Sequence, residues 1–358
     1  MDLALVGLPL SGKTTAFNAL AAGHAGGRQE HIAVVKIPDE RLEKLAALVQ
    51  AKKVTPAELR LHDLPPLFQK GAALSPDAVG AESLARADAL IHVVRAFHRD
   101  DLPHPQGSVD PHRDIAAFEA EMLLHDLAIV ERRLEKLEIT VRSARPGERE
   151  AGEREQLPLR RAKQFLEDDL PLRNQLSLPE DVRALASYGL LTLKPMLILV
   201  NIDEADVANG ATMEGDCRGR YGASRTFVAA LCARLEAELA ELSPQEAAEF
   251  RRELGAGDSA VQRVLHLTQE LLGLVTFYTP VGDECRAWPV PAGTTALQAA
   301  GRIHTDMERG FIRAEVIPWE KLMEMGSLAE AKKHGLLRTE GKGYAVQDGD
   351  VLHILFHV

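Results

Sequence analysis

Short apolar runs and amphipathic stretches alternate through the first two hundred residues. Residues 3–6 form a compact apolar run that predicts a buried strand, a glycine-containing loop follows, and residues 14–22 have helical character. Residues 32–37 are β-branched and strand-like, and Pro38-Asp39 marks the start of a helix running through Val49. Further apolar runs lie at 58–64, 89–94 and 195–200. Buried strands alternating with helices predict a mostly parallel sheet covered on both faces.

A different period follows a Pro-, His- and Asp-rich connection between residues 96 and 113. Ala116, Ala120, Leu123, Leu127, Val130, Leu134, Leu137 and Val141 recur in steps of four and three, a heptad seam. Arg145-Pro146-Gly147 breaks it, and a second helical stretch around Ala162, Phe165 and Leu166 returns alongside, predicting an antiparallel helical hairpin. Beyond Thr276 strand-like pieces at 277–278, 286–290, 311–317 and 351–356 are separated by turns at Gly282, Gly293 and Asp348-Gly349-Asp350. The expected organisation is an α/β domain in two parts, 1–112 and 191–273, a helical insertion at 113–190 and an α+β module at 274–358.

With 358 residues the chain exceeds what one core usually covers, which agrees with that division. A hydrophobic share of 46% and a charged share of 27%, with no run of 18 apolar residues, predict a soluble cytoplasmic protein without membrane contact. The N-terminus has no basic stretch before its first apolar run, so no signal peptide is expected. Cys217, Cys232 and Cys285 form no C-x-x-C pair and read as free thiols. A net charge of −11 argues against wrapping DNA, although it leaves room for a local basic patch. A monomer is expected.

Gly7-Leu8-Pro9-Leu10-Ser11-Gly12-Lys13-Thr14 matches G-x-x-x-x-G-K-[ST] in full, after a strand and before a helix. The glycines let backbone N–H groups turn inward around phosphates, and Lys13 sets a cation against the β and γ phosphates. Thr14 offers a hydroxyl to Mg²⁺ and opens a helix whose N-terminus favours anions. Asn201-Ile202-Asp203-Glu204 directly follows an apolar strand, where GTP-binding P-loop proteins carry N-K-x-D. It reads either as a base-recognition loop or as a helix-capping turn.

At these residues the chain resembles the YchF family, the Obg-like ATPases of the P-loop GTPase class, whose pattern is G-L-P-x-x-G-K-[ST], D-x-A-G-L, N-x-x-E and a C-terminal TGS module. Gly7-Leu8-Pro9, Gly12-Lys13-Thr14, and Asn201 with Glu204 match. The tail carries the most specific stretch: Arg286-Ala287-Trp288, Gly293-Thr294-Thr295-Ala296, Ile303-His304-Thr305-Asp306, Gly310-Phe311-Ile312-Arg313-Ala314-Glu315 and Val346-Gln347-Asp348-Gly349-Asp350-Val351. The resemblance implies an α/β fold: a P-loop GTPase-like, mostly parallel sheet with an inserted α-helical coiled-coil hairpin and a C-terminal α+β TGS domain. It implies binding of ATP, or GTP, with Mg²⁺. Gly7, Leu10, Ser11, Gly12, Lys13, Thr14 and Thr15 would surround the phosphates. Asn201, Ile202, Glu204, Leu231 and Cys232 would surround the base, and Thr14 and Asp63 would hold the metal. Lys13 would stabilise charge; no further catalytic residue is assigned.

Two family features are altered. The first mobile loop corresponds to residues 23–31, and no threonine occurs between Thr15 and Thr55 to complete the Mg²⁺ shell. D-x-A-G-L becomes Asp63-Leu64-Pro65-Pro66-Leu67, and Pro66 has no N–H to offer a γ-phosphate. His24, His31, His62 and His98 are candidates for orienting water, although each reads more readily as a surface or core histidine. Slow hydrolysis is expected, with a non-hydrolysing nucleotide-binding scaffold as the alternative and a small-molecule kinase the weakest reading. Arg132, Arg133, Lys136, Arg142, Arg145, Arg160, Arg161 and Lys163 on the insertion read as a solvated helical face or as a contact with RNA or the ribosome. Arg302, Arg309, Arg313, Lys332, Lys333 and Arg338 of the tail could join such a face.

Overall fold

The computed structural model describes residues 1–21, 25–29, 32–65, 67, 81–143, 145–176, 178–257 and 259–357. The chain begins β1 (Asp2–Val6), α1 (Lys13–Ala21), β2 (Ala25–Gln29), β3 (Ile32–Lys36), α2 (Glu40–Leu48), β4 (Lys53–Thr55) and β5 (Glu58–Asp63). It continues with α3 (Ala81–Arg86), β6 (Ala89–Ala96), the long helices α4 (Pro111–Ser143) and α5 (Pro146–Glu167), and two short ones, α6 (Leu172–Gln175) and α7 (Pro179–Leu185). Then come β7 (Met196–Ile202), α8 (Gly210–Tyr221), β8 (Thr226–Leu231) and α9 (Ala233–Leu239).

Seven strands form one sheet in the order β2-β3-β5-β1-β6-β7-β8. Its β5, β1, β6, β7 and β8 run parallel, and β2 turns back antiparallel to β3 at the edge. β6 and β7 are buried at every position, the pattern expected of central strands with both faces covered.

Helix α4 serves two cores. Ile115, Phe118 and Met122 pack with Leu90, Val94 and Ile198 of the sheet. Leu123, Val130, Leu134 and Leu137 pack with Leu159, Ala162 and Leu166 of α5. The heptad reading therefore starts too early, because Ala116 and Ala120 are exposed. The sheet dictates the buried face of the first turns, and the coiled-coil seam begins only where α4 passes beyond it. Arg133 with Glu155 (2.7 Å) and Lys163 with Glu131 (2.9 Å) join the two helices at their margins. Among the described residues no helix is long and apolar enough to cross a membrane.

The chain divides into two compact units, Met1–Val35 with Arg60–Leu267, and Lys36–Leu59 with Thr268–Val358. The second unit contains β9 (Leu274–Val281), β10 (Glu284–Pro291), β11 (Phe311–Pro318), β12 (Arg338–Glu340) and β13 (Asp350–Phe356), in a sheet ordered β12-β11-β13-β9-β10-β4. Residues 36–59, which element order leaves within 1–112, belong here for specific reasons. β4 pairs with β10, Arg41 holds Asp348 at 2.7 Å, and Trp319 Nε1 donates to Arg41 O at 2.8 Å.

Candidate functional site

The carboxyl ends of the parallel strands bring the chemistry-bearing residues into one row. Leu5 stands beside Asp63, Val6 beside His92, and Asn201 between Arg95 and Leu231. In an open α/β sheet, ligands collect at this end of the strands.

β1 runs straight into the phosphate-loop sequence. Gly7 has φ 147° and Gly12 φ 85°, and both are closely approached. A Cβ on Gly7 would stand 2.4 Å from Val93 O, and one on Gly12 2.3 Å from Asn201 Nδ2. Leu10 also takes a left-handed conformation, φ 63°, although its side chain is exposed and gains little packing there. Such a conformation costs a non-glycine residue about 1–2 kcal/mol. Strain of this kind collects at ligand-binding loops.

Lys13 opens α1 and is buried, its Nζ donating to Gly7 O at 3.1 Å. Burial pushes the ammonium pKa down, and the Asp63 carboxylate opposes that shift. Thr14 Oγ1 donates to Asp63 Oδ2 at 2.8 Å. Leu10, Ser11, Gly12, Lys13, Thr14, Thr15 and Asp63 all line a cavity of about 730 Å³. One end of that cavity thus presents a cation, a helix N-terminus and a hydroxyl–carboxylate pair, a donor set that suits an anion accompanied by a hard metal ion.

Asn201 is buried and bridges two elements: Nδ2 donates to Ser11 O at 3.1 Å, and Oδ1 accepts from Ala233 N at 3.1 Å. It fixes the phosphate loop to the start of α9. The other residues expected around the base lie elsewhere than on the cavity wall. Ile202 and Cys232 belong to the sheet core, and Leu231 is buried in β8. Glu204 is exposed in the turn after β7.

His62 lines the cavity and pairs through Nε2 with Asp2 Oδ1 at 2.9 Å, whereas His98 is exposed. His24, His31 and Pro66 lie outside the described residues, and of residues 23–31 the backbone of β2 is described. Leu67 is buried in the sheet core.

Phe97, Arg99 and Leu102 also line the cavity, and none is marked by a motif. The buried Arg95 guanidinium shapes this wall, donating to Phe97 O at 3.2 Å and Leu102 O at 2.7 Å and lying 4.6 Å from the Phe97 ring centroid. The available signal was positional: these residues follow the carboxyl end of a central strand.

Comparison with known proteins agrees with the fold. The family model YchF-GTPase_C, described as "Protein of unknown function (DUF933)", matches residues 274–357. The protein named ribosome-binding ATPase YchF in Bacillus subtilis is 36% identical over 366 residues, covering 99% of this chain and 98% of that one. Its namesake in Haemophilus influenzae is 37% identical over 366 residues with the same coverage. The solved structure of the Schizosaccharomyces pombe YchF GTPase superposes with a TM-score of 0.88 at 29% identity, covering 99% of this chain and 97% of that one. A GTP binding protein from Pyrococcus horikoshii OT3, at 20% identity and a TM-score of 0.62 with full coverage of both chains, shares the fold. With more than a third of its residues identical to these bacterial relatives over nearly its whole length, the chain belongs to the YchF family.

Proposed function

We propose that the protein binds ATP with Mg²⁺ in the cavity beside Lys13, hydrolyses it slowly, and uses nucleotide occupancy to regulate contact with the ribosome in the cytoplasm. The observation that carries the reading is the convergence of Lys13, Thr14 and Asp63 at the N-terminus of α1. Thr14 Oγ1 and Asp63 Oδ2, hydrogen-bonded at 2.8 Å, present a hydroxyl and a carboxylate, the oxygen chemistry Mg²⁺ takes, so Thr14 would hold the ion and Asp63 would reach it through water. When bound, the ion would neutralise charge on the phosphates. Lys13 would hold the β and γ oxygens, and Asn201 would keep the loop in its receiving shape.

ATP and the ribosome as ligands are supported by the printed names of the relatives. Slow turnover is argued from the sequence. With no threonine between Thr15 and Thr55 and with Pro66 in place of a donor, two transition-state contacts are missing, each typically worth about 10²–10³-fold. Preference for adenine over guanine rests on Glu204, whose longer carboxylate would crowd guanine. Because Ile202 is buried, a lysine there would put an ammonium in the core, so Glu204→Asp alone is the cleaner test of base choice.

The deciding experiment measures ATP and GTP affinities calorimetrically in Mg²⁺ buffer, alongside phosphate release. Lys13→Ala is expected to weaken ATP binding by about 10–100-fold, the loss of charged hydrogen bonds worth about 1.5–3 kcal/mol. No binding at millimolar nucleotide, or an unchanged affinity in Lys13→Ala, would remove the proposal. Multiple turnover at about one per second or faster would remove its slow-hydrolysis part.

A further inference from the structure

Away from the cavity, the first turn of α4 meets the end of α8. Tyr221 donates its hydroxyl to His112 O at 3.1 Å, and the two rings stack with centroids 5.7 Å apart. His112 Nε2 lies 2.8 Å from Asp216 Oδ2, and the next residue on α8, Cys217, is buried. One ligating atom from each of His112, Asp216 and Cys217 lies within 4.8 Å of the other two. His112 Nδ1 is enclosed and has no hydrogen-bond partner among the described residues.

We propose that His112, Asp216 and Cys217 form a binding site for a zinc-class divalent cation at the foot of the helical hairpin, with water completing the shell. Imidazole and thiolate select borderline-soft ions, whereas the hydroxyl and carboxylate of Thr14 and Asp63 suit a hard one. Tetrahedral zinc with bonds of about 2.0–2.3 Å sets its ligands about 3.3–3.8 Å apart. Side-chain shifts of about 1 Å, taken up chiefly by the exposed Asp216, bring the three groups to that spacing. Asp216, with 70% of its side chain exposed, leaves an entry path. The His112–Asp216 ion pair uses two of the three groups, and Cys217, which also packs in the sheet core, brings its Sγ to the same point. Burial, reinforced by Asp216, pushes the Cys217 thiol pKa up, and binding an ion as thiolate would release its proton to solvent. A bound ion would fasten the root of α4 to α8 and so brace the hairpin against the sheet that carries the phosphate loop.

Co²⁺ is the probe, added to the reduced, metal-free full chain. The expected result is one equivalent bound with the near-ultraviolet absorption of a cobalt–thiolate bond, displaced by Zn²⁺ and retained in excess Mg²⁺. Cys217→Ser should abolish the band, and His112→Gln should weaken Zn²⁺ binding by more than about tenfold while circular dichroism is unchanged. Absence of a thiolate band in the natural protein, its survival in Cys217→Ser, or unaltered Zn²⁺ affinity in His112→Gln would each overturn the proposal. Should Cys217→Ser fail to fold, the natural protein and His112→Gln decide.

Discussion

Gly12 shows how little freedom the phosphate loop has. Its left-handed φ and the Asn201 amide 2.3 Å from any added Cβ oppose a side chain independently. Gly12→Ala is expected to cost about 1–3 kcal/mol and to weaken nucleotide binding, read from denaturant midpoints and calorimetry together. His92 is a second constrained residue. It is enclosed in β6, stacks on Phe118 with centroids 4.1 Å apart, and its pKa is pushed down to about 3 by burial, reinforced by the charges of Arg173 and Lys13. The folded state therefore holds His92 neutral while the unfolded chain takes a proton near its ordinary value of 6.5. The corresponding stability is present above pH 6.5 and is lost as pH falls towards about 3, by at most about 1.4 kcal/mol per unit. Unfolding free energies measured across that window should fall less steeply for His92→Phe than for the natural protein.

Among the elements, the hairpin separates its basic residues into two groups. Arg133, Arg160, Arg161 and Lys163 pair with Glu155, Glu138, Asp181 and Glu131. Arg132, Lys136, Arg142 and Arg145 are exposed and form no ion pair among the described residues. Only the second group offers charge that phosphates could neutralise without breaking an existing pair. Reversing those four to glutamate should abolish salt-sensitive co-sedimentation with ribosomes and leave the thermal midpoint nearly unchanged. Arg161→Glu, facing the buried Asp181, should instead lower stability. The opposite assignment of effects would show that the contact lies elsewhere.

For the whole molecule, residues 36–59 depend on a part of the chain more than two hundred residues away. The hydrogen bond from Thr55 to Glu284 and the Arg41–Asp348 pair span 229 and 307 positions. A chain lacking residues 274–358 loses β10, the strand beside β4, so 36–59 should become sensitive to proteolysis. Fragment mapping by mass spectrometry would show cuts there ahead of cuts in the strands around the phosphate loop. Protection equal to that of the full chain would contradict this account.

The phosphate loop, strands β1, β3, β5, β6 and β7, and the hairpin were legible in the sequence because each is set within a few turns of chain, whereas β2, β4, β8 and β12 were not read as strands. Eight consecutive residues specify the loop, and apolar periods of about two, 3.5 and 3.6 specify the elements. What the sequence could not express is which distant backbone lies beside which. Asn201 reaches Ser11 across 190 positions to hold the loop, the stretch after β6 becomes a cavity wall, and Ile202, Leu231 and Cys232 enter the core. The heptad likewise does not tell that its first two alanines face outward, because the neighbouring sheet claims the other face of α4. These outcomes follow from burial shared between elements far apart in the chain, and that sharing exists only once the strands have paired.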